Sequence, residues 1–182
     1  PKQKKRILDG SMFIAVCPSC GNKYFFPFGF LYHDMDKQLM LFYRDEESDK
    51  DNLENIELPD KMLNFKGLNE YKYRAVSGFN RLKEKIYIFD ENLDDFEIEH
   101  IKYSLIQTLF DVEKRDKVQM YFLRKETESY RFYIVEENGN DYEKSISFNE
   151  CRVAKNKVFM KYDTFQEGVD IVNINYHWIE NN

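Results

Sequence analysis

Two thiols stand close together in Cys17-Pro18-Ser19-Cys20-Gly21. Cysteines at this spacing converge on one metal ion, while proline fixes φ after the first thiol and glycine supplies the positive φ that closes the turn. Backbone N–H groups in such a turn point at the sulfurs and favour thiolate, the form that binds metal. A structural zinc site is tetrahedral with four ligands, so Cys17 and Cys20 make half of one. The competing reading is a surface turn with two reduced, unliganded cysteines. Strand-like runs at Met12 to Val16 and Lys23 to Phe28 favour the zinc knuckle, because they frame the turn as the hairpin of a zinc ribbon.

Cys151, the only other cysteine, lies far from this pair on an apolar helical stripe with Ala154, Val158 and Tyr162. It reads as a small buried hydrophobe, since no Cys/His signature of a nucleophile accompanies it. Two polar groupings could do acid–base or metal chemistry: His33, Asp34 and Asp36, and a second set of Asp94, Asp95, Glu99 and Lys102. The first lacks the spacing that fixes ligands on one helix face and reads as loop carboxylates capping backbone amides, although His33 could also replace a zinc ligand. In the second, Asp95, Glu99 and Lys102 share a helix flank beside an apolar stripe and read as an ion-pair network at the edge of the core. His100 falls on the opposite side, toward solvent. His177 and Trp178 read as packing or surface groups.

The elements that must position these residues follow from periodicity. Strands are expected at Gln38 to Tyr43 and Tyr71 to Val76. Phe79, Leu82, Ile86, Phe89 and Leu93 then mark an amphipathic helix with Ser77 as its N-cap. A second helix over about Asp95 to Phe110 has Asp94 as cap, with Glu97 three residues on, and a stripe of Ile98, Ile101, Leu105 and Leu109. Between these halves, Asp45-Glu46-Glu47-Ser48-Asp49-Lys50-Asp51-Asn52 is too charged for a core and lacks the glycine and glutamate of a calcium loop. Leu53 to Asn64 suggests a helical turn limited by Pro59.

Beyond Asp116 the pattern changes to alternation. Val118, Met120 and Phe122 mark one strand and Tyr130 to Val135 another; Glu137-Asn138-Gly139-Asn140 turns into a third near Lys144 to Phe148. The stripe carrying Cys151 follows as a helix, and Val169 to Trp178 reads as a final strand.

The run Tyr24-Phe25-Phe26-Pro27-Phe28-Gly29-Phe30-Leu31-Tyr32-His33-Asp34-Met35-Asp36-Lys37-Gln38-Leu39-Met40, placed directly after the CPxCG turn, resembles the CpXC family. So do Tyr73-Arg74-Ala75-Val76-Ser77, Leu82 to Asp90, and Leu93-Asp94-Asp95-Phe96-Glu97-Ile98-Glu99-His100-Ile101-Lys102, in that order. In that family a first CPxC pair precedes a short helix, a glycine and a strand, which Lys2 to Leu8, Gly10 and Met12 to Val16 look like. The resemblance implies that the first pair lies upstream of Pro1 and that these residues are a fragment. It also implies zinc in the full-length protein, absent or incomplete in this fragment, and carries no established activity.

The fold class is therefore α+β: a zinc-ribbon-like β-hairpin joined to a mixed helix and antiparallel-sheet domain. Residues 1–115 form the CpXC-like region with half a zinc ribbon and two helices, and residues 116–182 a β-rich extension with one helix. With 16% aromatic residues, the chain can form a substantial core.

A net charge of −6 argues against sequence-independent binding to nucleic acid or anionic lipid. The dense basic run Lys2, Lys4, Lys5 and Arg6 reads as a solvated helix face beside the ribbon. No apolar stretch approaches the ~20 residues of a membrane helix. Three cysteines with one CxxC fit a reducing cytoplasm. The preferred function is a binding or adaptor module with structural zinc and an unknown protein partner. The alternatives are a metal-dependent hydrolase or nuclease using His33, Asp34 and Asp94/Asp95/Glu99, and local nucleic-acid binding by the ribbon.

Overall fold

The computed structural model describes residues 2–45 and 70–158. The turn expected at Leu53 to Asn64, the strand at Val169 to Trp178, Tyr162, His177 and all but Asp45 of the acidic run lie outside the described residues. Helix α1 (Lys2–Leu8) leads through a 3-10 turn (Ser11–Phe13) into the hairpin β1 (Ile14–Val16) and β2 (Lys23–Phe25). β1 and β2 pair antiparallel, Ile14 opposite Phe25 and Val16 opposite Lys23. The hairpin is shorter than its sequence suggests: Phe13 is taken into the 3-10 turn, and Pro27, without an N–H, ends any extension of β2.

Phe13 anchors this hairpin to the body. It is buried, and its ring lies 5.5 to 6.0 Å from those of Phe25, Phe28, Phe30, Tyr43 and Phe79, the separations of tilted and edge-to-face aromatic pairs. Gly10 makes the approach possible. Its φ is +75°, and a Cβ there would meet the Phe79 ring at 3.4 Å.

β3 (Phe30–Asp34), β4 (Leu39–Arg44) and β5 (Lys72–Ser77) form a sheet in that order. β3 and β4 are antiparallel, but β4 and β5 run parallel with Leu39 opposite Lys72, so the sheet is mixed rather than antiparallel. A parallel pair requires a long connection, and residues 46–69 provide its length. A second three-stranded sheet, wholly antiparallel, is built from β6 (Val118–Lys125), β7 (Ser129–Glu136) and β8 (Asp141–Ser147).

Between the sheets run α2 (Phe79–Asp90) and α3 (Asp95–Leu109), and α4 (Phe148–Lys157) follows β8. α2 is capped by Gly78, at φ +84°, not by Ser77. Its Leu82, Ile86 and Phe89 join Phe13, Leu39, Leu41 and Val76 in one core, while Ile88 faces a second core with Ile98, Ile101, Leu105, Met120, Phe122, Phe132 and Ile134. This second core spans residues on both sides of position 116. The α+β class stands. Leu109 departs from the expected stripe: it is 48% exposed at the last turn of α3, past the reach of the sheet.

Candidate functional site

The CPxCG turn closes as its residue types dictate. Gly21 adopts φ +71°, its N–H donates to Cys17 O at 2.9 Å, and Cys17 N–H donates to Asn22 O at 2.8 Å. Hydrogen bonds from the backbone of Cys20 and Ser19, and from the Cys20 side chain, hold the Cys17 thiol below its ordinary range. Both thiols are accessible, Cys17 partly and Cys20 fully. As donors they fit two positions of a zinc tetrahedron. Among the described residues no group of three or more His, Cys, Asp or Glu side chains comes together as a metal site. His33 is therefore not gathered beside the pair.

His33, Asp34 and Asp36 line a groove of about 570 Å³ between α1 and β3, together with Lys4, Met12 and Tyr32. The polar groups in it are mostly engaged with neighbours. His33 Nε2 lies 3.1 Å from the Tyr71 hydroxyl. Asp34 accepts from Tyr32 Oη at 3.0 Å and from Lys37 N at 3.2 Å, the capping role its loop position suggests. Lys4 reaches toward Asp34 at 4.0 Å and pairs with Asp90, so the basic run is not uniformly solvated. Burial and the neighbouring Asp34 push the Tyr32 phenol well above its ordinary value.

Asp94, Asp95, Glu99 and Lys102 do not line this groove, and no hydrogen bond or ion pair among the described residues joins the two sets. Asp94 is the N-cap of α3 and accepts from Phe96 N and Glu97 N at 2.8 and 3.1 Å. Glu97 does not complete a capping box; it turns to Lys155 on α4, 2.5 Å away.

Asp95, Glu99 and Lys102 lie not at the edge of the core but inside it, each exposed by 2% or less. They belong to an alternating chain of charges drawn from three elements. Arg74 on β5 grips Asp95 with two hydrogen bonds, Nε to Oδ2 at 2.9 Å and Nη2 to Oδ1 at 3.1 Å. Lys85 on α2 bridges Asp95 at 3.0 Å and Glu99 at 3.3 Å. Lys102 bridges Glu99 at 2.9 Å and Glu84 at 2.7 Å. Glu84 then accepts from the Phe122 amide of β6 at 2.6 Å, so the chain ends on the second sheet. Three cations face three carboxylates, which is the condition for burying charge without a large net penalty.

The electrostatics are uneven along this chain. Burial pushes the Asp95 carboxyl up, but the adjacent Lys85 and Arg74 charges outweigh it and hold Asp95 far below the carboxylate range. At the other end burial dominates: Glu84 is raised despite Lys102. Burial lowers the Lys102 ammonium, yet Glu84 and Glu99 more than offset this and keep it protonated. These directions describe a closed structural network. Every carboxylate in it is engaged by a cation, and its members do not line the groove.

Residues 1–102 match the family model described as CpXC protein, which is more than half of the chain. The chain belongs to the CpXC family. No curated protein and no solved structure matches it. The matched span carries the CPxCG turn, the groove and five complete members of the charge chain, and ends on Lys102, the sixth. The α3 helix of this CpXC chain continues beyond that point to Leu109.

Arg74, Glu84 and Lys85 are the members that sequence reading missed. An arginine inside the apolar strand run, between Tyr73 and Ala75, was the available signal: β5 is an edge strand, but both of its faces are covered, which leaves the charge nowhere to go but inward. Glu84 and Lys85 look like the solvated face of α2 until both cores are known to flank that helix. His100 also departs from expectation. It is half-buried, its Nε2 is enclosed without a hydrogen-bond partner, and burial together with Lys155 lowers its pKa, because α4 folds over that flank of α3. Cys151 is buried as read, and burial pushes its thiol up to about 12, out of range for a nucleophile.

Proposed function

We propose that this CpXC chain is a binding or adaptor module in which Cys17 and Cys20 supply two thiolate ligands to a structural zinc ion. The observation that carries the reading is the turn itself: a left-handed Gly21 closes it, and the backbone of Ser19 and Cys20 stabilises the Cys17 thiolate. Zinc held this way would tie the two ends of the hairpin together and supply folding free energy rather than chemistry. Cys17 and Cys20 would do no more than orient and hold it. The hydrolase or nuclease alternative gains no support, since Asp95 and Glu99 are enclosed by Arg74, Lys85 and Lys102 and lie outside the groove that His33 and Asp34 line.

Zinc content measured on the full-length protein by elemental analysis tests the metal. About one zinc per chain, lost when Cys17 and Cys20 are both replaced by serine, is the expected result; metal-free protein with reduced thiols would sink it. Hydrolase and nuclease screens with divalent metals test the other arm. A turnover abolished by His33→Ala would overturn the binding-module reading.

A further inference from the structure

The hairpin leaves an apolar surface uncovered. Ile14, Val16, Tyr24, Phe25 and Phe26 are each 43 to 67% exposed. The register puts Ile14, Val16, Phe25 and Lys23 on one face, with Tyr24 on the other. The two strands form a sheet of their own, so each has an outer edge that no other described strand pairs with. Free strand edges beside exposed apolar side chains are where extended peptides add.

Charge says what kind of peptide. Residues 2–33 carry five basic side chains against one acidic, whereas the rest of the chain carries 22 against 32. The single acid, Asp9, is engaged with the Ser11 amide. Among the described residues Lys2, Lys5, Arg6 and Lys23 enter no ion pair, and all four are exposed. The stretch that builds the exposed apolar hairpin is therefore the cationic stretch of an acidic chain. The open strand edge beside Lys23 suits a peptide, whose main chain completes the hydrogen-bond ladder, better than a nucleic acid, which has no donors and acceptors in that register.

We infer that the hairpin docks an extended peptide segment of a partner protein in which an acidic and an apolar residue stand two apart. The segment adds as a third strand along the outer edge of β2. Residues two apart on one strand share a face, so the apolar side chain covers Phe25 while the carboxylate faces Lys23, on the face that also carries Val16. The inference deepens the binding-module reading and rests on it for the hairpin's role, but not on the metal.

Fluorescence anisotropy with a labelled synthetic peptide in which Glu and Phe take turns at every second position, with Thr between them, tests it on the full-length protein. Three probes are compared: that peptide, the same peptide with Lys for Glu, and a labelled oligothymidylate. Saturable binding of the acidic peptide alone is expected. Val16→Ser with Phe25→Ser should weaken it about tenfold or more, and Lys23→Glu should weaken it and flatten its salt dependence. Thermal melts confirm that these surface variants stay folded. No binding of the acidic peptide, equal binding of the lysine peptide, or tighter binding of the oligothymidylate would each overturn the inference. Zinc content measured in the same samples separates the two readings: peptide binding without zinc retains the docking surface and removes the metal.

Discussion

The charge chain and the CPxCG hairpin belong to the same family-matched span, yet they manage polar chemistry in opposite ways. In the interior, Arg74, Lys85 and Lys102 alternate with Asp95, Glu99 and Glu84, so that each charge has a partner and none reaches water. At the hairpin and on α1, two accessible thiols, several aromatic rings and four exposed cations are presented to solvent. The contrast teaches that a cluster rich in titratable groups is not by that fact a reaction site. Closure spends reactivity on cohesion, whereas exposure leaves it available to a ligand.

The sharpest way to break the comparison is to remove one member of the closed chain. Asp95→Ala takes the bidentate carboxylate from Arg74 and leaves Lys85 with Glu99 alone, and the expected loss is about 3–5 kcal/mol of unfolding free energy, read from denaturant midpoints. Val16→Ala in the hairpin should stay within about 0.5 kcal/mol, because the side chain is already in water. Equal losses at the two positions would erase the distinction.

Next in size are the apolar positions that flank the charges. Replacing Ile86, Ile98, Ile101 or Leu105 with alanine should cost about 2–5 kcal/mol through lost transfer free energy and the cavity left behind. The same experiment at Leu109, half-exposed, should cost less than about 1 kcal/mol. Caps come below these. Ser147 and Glu150 form a reciprocal capping box on α4, and Asp94 caps α3, so Ser147→Ala and Asp94→Ala should each cost about 1 kcal/mol.

The smallest effect is a pH dependence. The folded-state pKa of His100 lies below its usual value of 6.5, through burial first and the Lys155 charge second. The unfolded chain then takes up the proton before the folded one, so stability is complete above pH 6.5 and declines as pH falls through the folded value. Denaturation midpoints between pH 7 and 5 should show that slope reduced in His100→Gln. An unchanged slope would mean that the ring is not enclosed in solution.

What could be read from the sequence was local. The 3.6-residue spacing of Leu82, Ile86 and Phe89, the Asp94 cap and the Asn138-Gly139 turn each carry their own physical cause, and each appears where expected. The parallel pairing of β4 and β5 could not be read, because alternation within a strand is the same whichever way its neighbour runs. Of the interior charges, Asp95, Glu99 and Lys102 were legible as a set because they share one helix. Arg74, Glu84 and Lys85 come from two other elements, and only the packing of α2 between two cores brings them in. Ser147 and Glu150 match the capping-box pattern, which the period-two reading of that stretch obscured.

The alternating order Arg74, Asp95, Lys85, Glu99, Lys102, Glu84 has a consequence for how such a protein can change over generations. No single replacement inside it is silent, since each upsets the balance of three cations against three carboxylates in a dry interior. Inheritance must therefore treat these positions as a block. Drift is closed to them one at a time and open only through paired or wholesale exchange, while the hairpin's surface residues remain free to follow whatever partner they meet.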